Sequence, residues 1–280
     1  MNLIDFTKEY LVSSGNGKWC EDITIINNSL VGVLDGATPI DIIEIDNYQT
    51  QACWFVNEFV RNFLNEDYGP INSVNSFCKA IINKIDCSKI SEFQDYNYPC
   101  CTAAFVRINN KYLLCSIIGD CSIYVRLKNR AVIHFYDDRV DKFSKKTQII
   151  SQKDYANMYE KESAIKQQKI NNRKHLNNPD GFYALTLCDS WYDSFVENQI
   201  AIADVDSVLI CSDGFARLFK EYNIMSPQAF FNNDISILDG VSLIRNFEKK
   251  SLANYSCVKK KDDASAILLD FKREEKYVTR

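Results

Sequence analysis

In four places along the chain, acidic residues stand at the end of an apolar run. Leu30 to Leu34 stops at Asp35-Gly36, and Ser207 to Cys211 stops at Ser212-Asp213-Gly214. Asp262-Asp263 comes just before Ala264 to Phe271, and Glu21-Asp22 just before Ile23 to Ile26. Short apolar runs bounded by Gly or Pro read as buried strands. Each acid therefore falls at a strand tip, held by a rigid sheet yet open to solvent or a ligand. A single Asp-Gly is ordinary turn chemistry; the repetition gives the pattern its meaning. Carboxylates gathered at several strand ends repel one another unless cations neutralise them, and an all-oxygen donor set selects hard ions such as Mg2+ or Mn2+.

The elements that must position these acids follow from hydrophobic spacing. Phe6 to Val12, Asp22 to Ile26 and the run ending at Asp35 read as opening strands, with Ser13 to Lys18 as a loop. Between Asn47 and Glu66, and again between Val74 and Ile85, apolar residues recur at helical spacing, which predicts two amphipathic helices with aromatic core faces. Asp86 to Pro99 reads as a linker. Thr102–Ile108, Tyr112–Ile118, Ser122–Leu127 and Ala131–Tyr136 are strand-like and joined by short turns, which predicts a meander with Asp120 in its middle joint. Arg139 to Asn178 is polar, with a helix expected from about Ser151 to Gln168. Gly181 to Leu187 resumes a strand, helices are expected over Phe215–Lys220, Pro227–Asn232 and Ile235–Lys250, and Ala264 to Phe271 closes a sheet. Strands mixed with paired helices, without regular alternation, argue for an antiparallel layered protein.

Composition narrows the class of function. The chain has 280 residues and is 46% hydrophobic, enough for one large domain spanning residues 1–280. A net charge of -4 and a pI near 5.4 give no basic footprint for nucleic acid. No apolar stretch reaches bilayer length and the N-terminal residues lack a leader pattern, so a cytoplasmic protein without a membrane partner is expected. The eleven cysteines are odd in number, scattered and without CxxC, which fits reduced core thiols better than zinc or a disulfide framework. With only His134 and His175, a His-rich metal site or a Ser-His-Asp triad is hard to build. The Cys100-Cys101 pair lies at a strand start and is not read as a thiol nucleophile.

The order of the motifs resembles the protein phosphatase 2C family of metal-dependent Ser/Thr phosphatases. Glu21-Asp22, Asp35-Gly36, Cys101-Thr102-Ala103, Gly119-Asp120-Cys121-Ser122, Ser212-Asp213-Gly214 and Asp262-Asp263-Ala264-Ser265 follow in sequence over roughly residues 10 to 271. The resemblance implies an α+β fold, a four-layer α-β-β-α sandwich of two antiparallel sheets flanked by helices, with a cleft holding two Mn2+ or Mg2+ ions. It implies that Asp35 bridges both ions, that Asp213 and Asp262 complete one, and that Glu21 with the Gly36 carbonyl serves the other. It gives Asp22 and Asp120 as candidates for outer or third-ion residues. The implied reaction is hydrolysis of phosphoserine or phosphothreonine in a protein, opposite a cognate kinase in signalling, by a metal-activated water.

Three departures from the family pattern stand out. Many members follow the first Asp-Gly with His-Gly-Gly, where this chain has Ala37-Thr38-Pro39. The family's phosphate-binding Arg is replaced in Gly17-Lys18-Trp19-Cys20, so Lys18 is either a point-charge phosphate contact or an exposed loop lysine. Four residues after Asp213, Arg217 stands where many members carry a third-ion Asp, which would put a fixed positive charge at that site and in reach of phosphate. Two alternatives to an active protein phosphatase follow: a catalytically weak or inactive regulatory module on the same fold, and a small-molecule phosphomonoesterase.

Overall fold

A computed structural model describes residues 6–15, 19–27, 29–65, 71–251 and 261–271. Lys18 and the neighbouring Gly17 lie outside them. The strands are β1 (Phe6–Ser13), β2 (Asp22–Ile26), β3 (Leu30–Gly36), β4 (Cys100–Ile108), β5 (Tyr112–Ile118), β6 (Ser122–Leu127), β7 (Val132–Tyr136), β8 (Leu185–Thr186), β9 (Val196–Ala201), β10 (Val205–Cys211) and β11 (Ala264–Phe271). They form two antiparallel sheets, one in the order β1-β11-β10-β6-β7 and the other β2-β3-β4-β5-β9, with β8 paired to β4. The helices are α1 (Gln51–Leu64), α2 (Val74–Ile82), α3 (Asp141–Ser151), α4 (Met158–Arg173), α5 (Asp213–Ala216), α6 (Pro227–Asn232) and α7 (Ile237–Ser251).

Strand side chains alternate between faces, and this sorts the apolar residues into three cores and four layers. Leu30, Leu34, Cys101, Ala103 and Phe105 pack beneath α1 and α2 through Trp54, Phe55, Phe59, Phe77 and Ile81. Val31, Val33, Ala104, Val106, Ile123, Val125, Val208, Ile210, Ile267 and Leu269 fill the space between the sheets. Leu209, Cys211, Ala264 and Ala266 pack against Phe215, Phe230, Val241 and Ile244 on the opposite outer face. The α-β-β-α sandwich expected from the resemblance is the fold observed.

Local chemistry sets the helix starts. Thr50 caps α1, its Oγ1 accepting from the Cys53 N–H at 3.0 Å, and Ser73 caps α2. The polar excursion holds two helices instead of one, because Asn157 caps a fresh start after the break that follows Ser151. The expected Gly181–Leu187 strand shrinks to Leu185–Thr186, and the linker before β4 carries two short 3-10 turns. Strand β9 was not anticipated from the sequence, since Val196-Glu197-Asn198-Gln199 is polar and lies at a sheet edge.

The meander is not observed. β5 pairs with β4 and β9, whereas β6 pairs with β7 and β10 in the other sheet. Residues 119–121 are therefore a crossing between sheets. Sheets stack about 10 Å apart and an extended residue spans about 3.3 Å, so three residues suffice. Gly119 makes the turn at φ +79° and lies so close to β4 that a Cβ would meet Thr102 Cγ2 at 2.2 Å. This crossing delivers Asp120 to the end of the sandwich where the other acids collect.

Candidate metal centre

At one end of the sandwich the inter-sheet core changes from apolar to polar. On β3 the face carrying Val31 and Val33 next presents Asp35; on β4 the face of Val106 and Ala104 presents Thr102. On β10 Val208 and Ile210 are followed by Ser212, and on β11 Leu269 and Ile267 lead back to Ser265 and Asp263. Cross-strand register aligns the row, with Asp22 opposite Asp35 and Asp35 opposite Thr102.

Two of the acids fasten the sheets together. The Asp22 carboxylate accepts from Ser265 Oγ at 2.8 Å, across the gap between sheets. Asp263, which the sequence reading did not single out, accepts from the Glu21 N–H and the Gly15 N–H, each at 2.7 Å. Both side chains are buried. Asp35, Asp120, Asp213 and Asp262 are only half-buried. Thr102 Oγ1 donates to Asp120 at 2.9 Å.

Glu21 is held from two sides. Thr50 Oγ1 donates to its Oε1 at 2.7 Å and Thr38 Oγ1 to its Oε2 at 2.6 Å. Ala37 stands at the position of the family's histidine, and the next residue, Thr38, uses its hydroxyl to orient Glu21. Gly36 donates its N–H to the Glu21 carbonyl at 2.9 Å, in a contact so close that a Cβ would meet that oxygen at 2.7 Å. Arg217 does not stand apart at a third site: its Nη2 donates to Asp262 Oδ2 at 2.7 Å.

The electrostatics follow from burial and crowding. Burial pushes the Asp35 carboxyl well up, and Asp22, Asp213, Asp120 and Asp262 add to the rise. Asp213 is raised by burial and then by Asp262 and Asp120, against the opposing charge of Arg217. Asp120 is raised by burial, opposed by the Thr102 hydrogen bond and by the nearby Lys220, a cation the sequence reading missed. Asp22 is pushed up to about 7, mainly by burial.

Among the described residues, no three His, Cys, Asp or Glu side chains form a ready-made metal-binding group. The donor set still fits a hard divalent cation. It is all oxygen, and its carboxylates raise one another's proton affinity in a way that a cation would reverse.

Other sequence features take structural roles. His134 stacks between Tyr124 and Tyr136, with centroids 4.2 Å and 4.6 Å away, and burial lowers its pKa to about 4. Contrary to the expectation that the Cys100-Cys101 pair lacks a basic CxxxxxR surround, Cys101 and Arg107 have that spacing. The segment is extended strand, and Cys101 is fully buried with its thiol raised by burial, so no anion-binding loop forms there. The described cysteines are free thiols, and no helix among the described residues is long and apolar enough to cross a membrane.

A two-sheet sandwich with acids converging from both sheets at one end defines a phosphatase 2C-like architecture. The protein phosphatase 2C family profile matches residues 16–253, and the chain belongs to that family. Among solved structures it is similar to the Mycobacterium tuberculosis serine/threonine phosphatase PstP/Ppp, with a TM-score of 0.56 at 12% identity over 96% of this chain and 99% of that one. It is also similar to serine/threonine phosphatase Stp1 from Staphylococcus aureus, at TM-score 0.55 and 15% identity over 96% of each chain. The PstP catalytic domain in complex with two manganese ions aligns at TM-score 0.53 and 11% identity, over 95% of this chain and 97% of that one. No curated protein gave a sequence match.

Proposed function

We propose that the chain is a single-domain, metal-dependent phosphoprotein phosphatase acting on phosphoserine and phosphothreonine, in the cytoplasm and opposite a Ser/Thr kinase. The observation that carries the reading is the gathering of acids from both sheets at one end of the sandwich: Asp35 lies opposite Thr102, Thr102 bonds Asp120, and Arg217 links the Asp213 turn to Asp262. Family membership and the manganese-bound relative support it. Asp35 would be shared by two Mn2+ or Mg2+ ions, Asp213 and Asp262 would hold one, and Glu21 with the Gly36 carbonyl the other, with Asp22 and Asp120 outside them. When bound, such ions supply Lewis acidity and bring the pKa of water toward neutrality.

The chain's own residues prepare the site. Thr38 and Thr50 fix the Glu21 carboxylate, and the staples through Asp22 and Asp263 keep the two sheets in register. With its hydroxyl committed to Glu21, Thr38 is not placed to protonate a leaving group as the family's histidine is proposed to do. Helices α3 and α4 pack on each other, through Asn172 of α4 reaching the Phe143 carbonyl and Thr147 of α3. Helix α4 also reaches the loop after Asp35, where Arg173 donates to the Ala37 carbonyl at 3.4 Å and Lys166 pairs with Asp41 at 2.5 Å. These contacts support a role for this excursion in substrate selection.

The Arg217–Asp262 pair favours a second reading, a regulatory module with weak or no turnover. The test is hydrolysis of a phosphothreonine peptide and of an aryl phosphate, with and without Mn2+ or Mg2+, by the wild type and by Asp35→Asn and Asp213→Asn. Metal-dependent turnover lost in both variants is the expected result, and preference for the peptide identifies a protein substrate. Preference for the aryl ester would make it a small-molecule phosphomonoesterase, and metal binding without turnover would establish the regulatory module.

A further inference from the structure

Arg217 is one helical turn beyond Asp213, its N–H bonded to the Asp213 carbonyl at 3.0 Å. From there the guanidinium crosses to the tip of the adjacent strand and pairs with Asp262 at 2.7 Å, the two side chains being 7% and 14% exposed. Its seat is built. Nη1 reaches Tyr222 Oη at 3.5 Å, and Nε is 3.5 Å from the Glu221 carboxylate. Tyr222 Oη donates to Glu248 Oε1 at 3.2 Å, Glu248 is clamped by Arg245 Nη1 at 3.0 Å, and Arg245 Nη2 donates to the Asp262 carbonyl at 2.7 Å. These contacts form a closed ring, Asp262–Arg217–Tyr222–Glu248–Arg245–Asp262. Tyr222 and Glu248 are buried. A guanidinium cannot shed its charge by deprotonation, and its fork is pre-organised for a carboxylate.

We propose that Arg217 is a resident counter-ion for Asp262, competing with a divalent cation for that carboxylate. The chain then holds one divalent ion tightly, on the side of Glu21, Asp35 and the Gly36 carbonyl, and takes a second only weakly. This rests on the metal-dependent reading above and deepens it. The neutralising charge at Asp262 is supplied by the protein, so that this carboxylate is already paired without metal.

The test is calorimetric titration of the full chain with Mn2+ alone, for the wild type and for Arg217→Gln, with melting temperatures recorded in EDTA and in Mn2+. The wild type should bind one tight ion per chain, and its melting temperature should rise from EDTA to Mn2+ by the linkage of that one ion. Arg217→Gln should bind the second ion more tightly, on the order of tenfold or more, because a unit positive charge within contact distance has been removed. Its melting temperature should fall in EDTA and recover with Mn2+. Two Mn2+ ions bound with equal affinity by the wild type would overturn the inference while leaving the metal-dependent reading intact. That result needs no variant, so it decides the matter even where Arg217→Gln fails to fold. Unchanged titration of a folded Arg217→Gln would also overturn it, and no Mn2+ binding by either protein would overturn both.

Discussion

Without metal, the acid cluster should make the protein less stable as pH rises through neutrality, and Asp22 gives the magnitude. Its carboxyl is buried between the sheets and pushed from an ordinary 3.8 up to about 7. Between those values the folded state holds a proton that the unfolded chain has released. The folded state therefore binds more protons, and stability falls as pH rises through that window. From pH 5 to 7.5 the loss from this group alone is about 2–3 kcal/mol at about 1.4 kcal/mol per pH unit, as a ceiling, because neighbouring carboxyls share the effect. Asp35, Asp120 and Asp213 are raised in the same direction and add to the slope. The assay is urea unfolding in EDTA at pH 5 and pH 7.5. Asp22→Asn keeps an oxygen acceptor for Ser265 Oγ but cannot ionise, so its profile should be shallower and its stability at pH 7.5 higher than the wild type's. Added Mn2+ should reverse the wild-type trend, since the ionised carboxylates are the form that binds it. Wild-type stability that is flat or rising with pH in EDTA, or an Asp22→Asn slope equal to the wild type's, would refute the reasoning.

Two further outcomes follow from the same geometry. Gly214→Ala would put a methyl carbon 1.8 Å from the Asp263 carbonyl oxygen, forcing Asp213 away from the Asp262–Asp263 turn; a destabilisation of at least about 2 kcal/mol by denaturant and weaker Mn2+ binding by calorimetry are expected. Brief iodoacetamide treatment of the native protein followed by peptide mapping should label the exposed Cys87 and Cys188 and spare Cys53, Cys78, Cys101, Cys115, Cys121 and Cys211. Burial both shields those thiols and raises their pKa.

By itself the sequence determined the strand tips and what chemistry could gather there. β2 and β11 fall on their expected residues, and β3 ends at Asp35-Gly36, because an apolar run bounded by turn residues is a local signal. The order of the acid motifs carried the family and the layered fold. Only the tertiary structure decided which partner each acid takes. Asp262 and Asp263 are adjacent in sequence, yet alternation along β11 and the packing of two sheets give one to Arg217 and make the other a staple to Glu21 and Gly15. Gly119-Asp120 looks like a hairpin joint in the chain and is a crossing between sheets, because strand pairing is settled by non-local packing and not by chain proximity. Arg217 is four residues from Asp213 in any helix, but the Tyr222, Glu248 and Arg245 ring that aims its charge at Asp262 is drawn from α7 and the end of β11, which only the folded core brings together.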